Sequence, residues 1–110
     1  MDVIISKILN SKSALFHGEG LEIFELLYKS IKNDSSVELS FKGLENCSTQ
    51  FLNATFGKLY VEFPDSIIKK YLSYSNYEQI PMFEEKLRDV IENAKHYEQY
   101  DDNFDMAVYA

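Results

Sequence analysis

The chain has 110 residues, a length for one domain, and 45% of them are apolar and 15% aromatic, too apolar for a disordered segment and enough to bury a single core. A formal net charge of −7, from 11 Lys and Arg against 18 Asp and Glu, argues against the clustered basic surface that nucleic acids or anionic membranes attract. One cysteine, Cys47, excludes an internal disulfide, and two histidines leave no zinc-finger spacing.

In chain order, Asp2 to Leu9 is short and rich in Ile and Val. It reads as a strand at or near a sheet edge. The run is too short for a signal peptide, and no later stretch approaches the roughly 20 apolar residues of a membrane span. With cysteine used so sparingly, a soluble cytoplasmic protein is expected. Asn10 to Gly20 reads as a loop, with a weak strand around Ala14 to Phe16 and His17 in a glycine-flanked connection. Leu21 to Ile31 carries Leu21, Phe24, Leu27 and Ile31 at helical spacing, with Lys29 and Lys32 near the carbonyl end. Asn33 to Ser36 turns the chain.

Val37, Leu39 and Phe41 then alternate with Glu38 and Ser40, the period of a strand. Lys42 and Gly43 end it, and Leu44 reads as an apolar plug behind the turn. Ser48 or Thr49 caps a helix whose stripe is Leu52, Phe56, Leu59 and Phe63, flanked by Phe51 and Tyr60. Pro64 stops it. Asp65 to Ile68 reads as one helical turn, Lys70 to Tyr74 as a strand and Asn76 to Pro81 as a loop. Met82 to about Tyr100 reads as the last helix, with Phe83, Leu87, Val90, Ile91, Ala94 and Tyr97 on one face. Residues 1–100 form the expected domain, and 101–110 an acidic, flexible tail. Alternation of strands and helices implies an α/β fold: a mainly parallel or mixed sheet of about four strands with three main helices.

Little of this pattern carries reaction chemistry. HGEG lacks the spacing of a dinucleotide loop and has no Walker lysine. His96 falls off the apolar stripe and reads as solvated, and a free cysteine is usually a small buried hydrophobe. A Cys47 enzyme would need an exposed, activated thiol beside a base. No cofactor or metal is expected. The informative stretch is Asn46-Cys47-Ser48-Thr49, a strand-to-helix junction. Free amides and the helix dipole at such a junction favour an anion. Ser48 and Thr49 are therefore candidate phospho-acceptor or anion-site residues, against the plainer reading of Ser48 as a cap. Asn46, Gln50, Asn53 and Lys58 are candidate partner contacts, lying off the core stripe.

With those residues in view, the chain resembles the STAS-like family, which is related to the STAS domains of anti-sigma-factor antagonists. Leu39-Ser40-Phe41-Lys42-Gly43-Leu44 resembles the family's strand end, and Ser48-Thr49-Gln50-Phe51-Leu52 with Phe56-Gly57-Lys58-Leu59 resembles its helix. The resemblance implies a non-catalytic regulatory module that works by protein–protein contact. In the antagonists an Asp-Ser pair precedes this helix and a partner kinase phosphorylates the serine. Here Ser48 stands at the Asp position, Thr49 at the serine position and Phe51 where those domains have glycine. The partner implied is a histidine-kinase-type ATPase acting in trans. The other reading is a nucleotide- or anion-binding module at Ser48-Thr49. A homodimer is a further expectation, from the surplus of Tyr71, Tyr74, Tyr77, Tyr97 and Tyr100 over what a small core buries.

Overall fold

A computed structural model describes residues 1–96. Strand β1 (Asp2–Ile4) passes directly into a short helix, α1 (Ile5–Leu9), so the Ile-rich run expected as one strand is half helix. Local composition did not mark this break, because tertiary bonds make it. The Ser6 hydroxyl donates to the Lys42 carbonyl at 2.9 Å, and Asn10 closes the helix in the left-handed region at φ 51°. Strand β2 (Ser13–Ala14) leads into α2 (His17–Lys32), which begins four residues before the apolar spacing showed. His17 is thus the first residue of a helix, not part of a loop. The earlier start is held by Glu19, whose Oε1 accepts the amides of Leu15 and Phe16, each at 3.1 Å.

Strand β3 (Val37–Ser40) lies at the centre of a parallel sheet ordered β1-β3-β5, with Val3 opposite Leu39 and Leu39 opposite Tyr74. Gly43, at φ 87°, turns the chain out of this sheet, where a side chain would be strained. Leu44 plugs the turn, fully buried, and the Gln79 amide holds it from outside by donating to the carbonyls of Phe41 at 3.0 Å and Leu44 at 2.9 Å. Strand β4 (Asn46–Cys47) then pairs parallel with β2. In place of the expected sheet of about four strands, the described residues form five strands in two parallel sheets, divided at this turn.

The helix after β4 is continuous but not uniform. It comprises α3 (Thr49–Leu52), a π-helical turn (Asn53–Gly57) and α4 (Lys58–Glu62). Leu52, Phe56 and Leu59 are buried, as their spacing predicts, but so are Ala54, Thr55 and Gly57 on other sides. The helix is the centre of the molecule, with α2 on one flank and α6 (Phe83–Lys95) on another. Small residues make both approaches close: a Cβ at Gly20 of α2 would fall 2.6 Å from the Ala54 Cβ, and one at Gly57 would fall 3.4 Å from Val90 of α6. Thr55 has no exposure and donates its hydroxyl to the carbonyls of Gly20 at 3.1 Å and Phe51 at 2.9 Å, tying α2 to the wide turn.

Pro64 ends the central helix and starts α5 (Asp65–Tyr71), longer than the single turn expected and followed by β5 (Leu72–Ser75). On α6 the residues Phe83, Leu87, Val90 and Ala94 are buried, matching their periodicity. Its expected extension to Tyr100, and the tail 101–110, lie outside the described residues. The one ion pair among the described residues, Lys95–Asp65 at 2.6 Å, joins α6 to α5 with side chains 46% and 38% exposed. Screened to that degree, it adds little stability.

Candidate functional site

Two helices begin side by side because two strands end side by side. In the small sheet Ser13 pairs with Asn46 and Ala14 with Cys47, in parallel. The chain leaves both strands at the same end: β2 enters α2 through Leu15 and Phe16, and β4 enters α3 through Ser48. Parallel pairing thus brings together two helix N-termini, each with outward amides and the positive end of its dipole.

Ser48 is the clasp between them. Its amide donates to the Ala14 carbonyl at 2.9 Å, and its hydroxyl donates to the Leu15 carbonyl at 2.6 Å while accepting the Phe51 amide at 3.0 Å. The half-buried hydroxyl has both its proton and a lone pair in use. Thr49, one residue on, is exposed, as are Asn46 and Gln50. Asn53 and Lys58 are half-buried on the flank facing α2, and the Lys58 ammonium lies 4.8 Å from the centre of the Phe24 ring.

Sequence reasoning missed two residues here. Leu15 and Phe16 read as a weak strand, yet their backbone is pinned by Glu19 and Ser48 while their side chains are 39% and 66% exposed. Phe16 is the most exposed large hydrophobic side chain among the described residues and directly follows Leu15, whose carbonyl accepts the Ser48 hydroxyl. The signal that identifies them is Glu19 itself, a carboxylate three residues after a helix-start position. It shows that the helix opens at His17 and leaves Phe16 outside it.

Cys47 belongs to the core, 2% exposed. Burial pushes its thiol from 9.0 up to about 12, against a small opposing effect of the Lys86 ammonium. Lys86 itself donates to the Cys47 carbonyl at 3.2 Å, fastening α6 beneath the junction. The protonated thiol is a poor nucleophile, so iodoacetamide at neutral pH is expected to label native Cys47 far more slowly than the denatured chain. The unfolded thiol ionises near 9.0 and the folded one near 12. Stability present below pH 9 is therefore lost as pH climbs toward 12. Cys47→Ala should flatten that alkaline slope in denaturant titrations; an unchanged slope would assign the loss elsewhere.

The tyrosines expected at a dimer surface are partly absorbed by the chain. Tyr71 donates to the Asp34 carboxylate at 3.0 Å. Tyr77 stacks on Phe83 with ring centres 4.8 Å apart, and Tyr74 meets Phe56 edge-on at 5.4 Å. Tyr74 stays 39% exposed on β5 at the sheet edge; Tyr97 and Tyr100 lie outside the described residues.

A three-stranded parallel sheet, helix crossovers and a central helix entered through a hydroxyl-rich turn define a small α/β domain. A family model for a STAS-like domain of unknown function matches residues 19–80. The chain belongs to that family, and the match runs from within α2 through β5, including Asn46–Thr49 but not β2, Leu15 or Phe16. No curated protein and no solved structure matches the chain. Among the described residues no helix is long and apolar enough to cross a membrane.

Proposed function

We propose that this domain is a non-catalytic regulatory module whose partner docks where α2 and α3 begin, and whose docking is switched at Thr49. The observation that supports the proposal is the exposed Leu15–Phe16 pair, whose backbone bonds to Glu19 and to Ser48, the residue before the exposed Thr49. Aromatic side chains are enriched at interfaces, and the neighbouring Asn46, Gln50, Asn53 and Lys58 supply a polar rim. Thr49 is the acceptor rather than Ser48, because the Ser48 hydroxyl is already engaged twice. A phosphate on Thr49 would add nearly two negative charges next to the anchor, at a helix start that tolerates them. The partner this reading implies is a protein, a histidine-kinase-type ATPase acting in trans, met in the cytoplasm without nucleic acid or membrane.

Incubation with ATP and a histidine-kinase-type ATPase from the same organism, followed by intact mass, tests the switch. A gain of one phosphoryl group that survives Ser48→Ala and disappears in Thr49→Ala is expected. A gain untouched by Thr49→Ala, or none at all, overturns it. Docking is read separately: Phe16→Asp should abolish co-elution with the partner while leaving the thermal midpoint near that of the parent.

The paired helix starts also favour the second reading, an anion or nucleotide held by the free amides near Ser48 and Thr49. It requires a thermal midpoint that rises with nucleotide or phosphate concentration; a flat response removes it.

A further inference from the structure

We propose that the groove between α2 and α4 binds a small organic anion, one acidic group on a short apolar body. The groove has a volume of about 280 Å³, with a floor of Leu21, Ala54 and Val61 and a rim of His17, Asn53, Lys58 and Glu62. An apolar floor with a few convergent polar groups is the usual make-up of a ligand site. The volume is near the lower bound of such sites, roughly 300 Å³, which limits the ligand to a compact molecule.

Lys58 selects the charge. In a chain with 18 acidic residues it makes no ion pair with any described residue. Glu62 stands one turn along α4, at the spacing that commonly pairs on a helix, yet the two do not meet within salt-bridge distance. The ammonium instead rests on the Phe24 ring. The Lys58 side chain is half-buried with its ammonium over that ring, a fixed positive charge that attracts an entering anion and not a neutral molecule. The imidazole of His17 and the amide of Asn53 are further hydrogen-bond donors on the same rim.

The wide turn explains why this lysine is on this flank. One residue inserted into an α-helix rotates all that follows by about 100° about the axis. The turn at Asn53–Gly57 lies immediately before Lys58, and it is held open by the Thr55 hydroxyl and by the close approach of Gly20. Without the insertion Lys58 would point away from Phe24 and out of the groove. Wide turns of this kind occur often at functional sites.

The groove shares Asn53 and Lys58 with the rim of the proposed partner surface, but its test involves no partner. Amide-resolved NMR titration of the full chain with benzoate, butyrate, benzamide and inorganic phosphate decides it. Saturable shifts centred on His17, Asn53 and Lys58 are expected with benzoate and butyrate, with weaker responses to phosphate and to neutral benzamide. Lys58→Gln should weaken benzoate at least tenfold while the amide spectrum stays folded. Equal binding of benzamide and benzoate, undiminished binding by Lys58→Gln, or no saturable shift with any probe each overturns the proposal.

Discussion

Gly20→Ala is expected to destabilise the domain by about 3 kcal/mol, the upper part of the range for overpacking a closed contact. The substitution adds one methyl group to a helix interior, where alanine is intrinsically preferred to glycine by nearly 1 kcal/mol. Propensity loses here because that methyl would lie 2.6 Å from both the Ala54 Cβ and the Phe51 carbonyl oxygen, and 3.2 Å from the Thr55 hydroxyl. Two of these atoms belong to the wide turn and the third is a backbone carbonyl of α3, and none is the far end of a flexible chain. Relief requires α2 to move off the central helix, loosening the Thr55 bonds. A fall in thermal midpoint of roughly 10–20 °C follows for a domain of this size. Gly18→Ala is the control. It lies two residues away on the same helix, a Cβ there meets nothing within 4 Å, and the side is exposed. It should leave stability equal or raise it by about 0.5 kcal/mol. If the two variants melt together, the close contact between α2 and the central helix is wrong.

Phe41→Ala is the second large effect, expected at about 3–5 kcal/mol. Phe41 is fully buried immediately after the central strand, its ring 4.8 Å edge-on from Phe83 of α6 and 6.4 Å from Phe56 of the central helix. Removing it empties the point where sheet, central helix and α6 meet. Its carbonyl, which accepts from Gln79 and the Leu44 amide, remains in place. The turn therefore has no reason to change, and the loss is one of packing. Denaturant titration should show a lower midpoint with an unchanged slope. Against a typical total of 5–15 kcal/mol, a loss of this size leaves a substantially unfolded population near 37 °C. A change below about 1 kcal/mol would contradict the packing described.

Phe41 and Gly20 also differ in how readable they were. Phe41 follows the alternation of Val37 and Leu39, and a two-residue period reports which face of a strand is inside wherever the strand sits. Periodicity likewise exposed the inner faces of the central helix and of α6. It even placed the last member of the stripe, Phe63, which is half-buried against Tyr28 with ring centres 5.4 Å apart. Gly20 gave no such signal. Glycine in HGEG looks like a turn, and only the arrival of Ala54 and Phe51 from a helix 30 residues later turns it into a packing requirement. The same holds for Ala54, Thr55 and Gly57, whose burial on the sides away from the stripe depends on two flanking helices.

The candidate site divides along the same line. Ser48 as a helix cap and Thr49 as an available hydroxyl follow from residue type and from the preceding strand. That Ser48 spends its hydroxyl proton on Leu15, that Phe16 is left exposed just after it, and that His17 shares a groove with Lys58 do not.

By itself the sequence determined an α/β domain built on Val37–Phe41 and an amphipathic helix, because strand alternation and helical spacing are local and survive any arrangement of neighbours. The tertiary structure alone decided the break between β1 and α1, the division into two sheets and the wide turn before Lys58. It also decided the pairing of β2 with β4 that sets two helix starts together. Each of those depends on a bond or a close approach between residues some 30 or more positions apart, and no local pattern records such a contact.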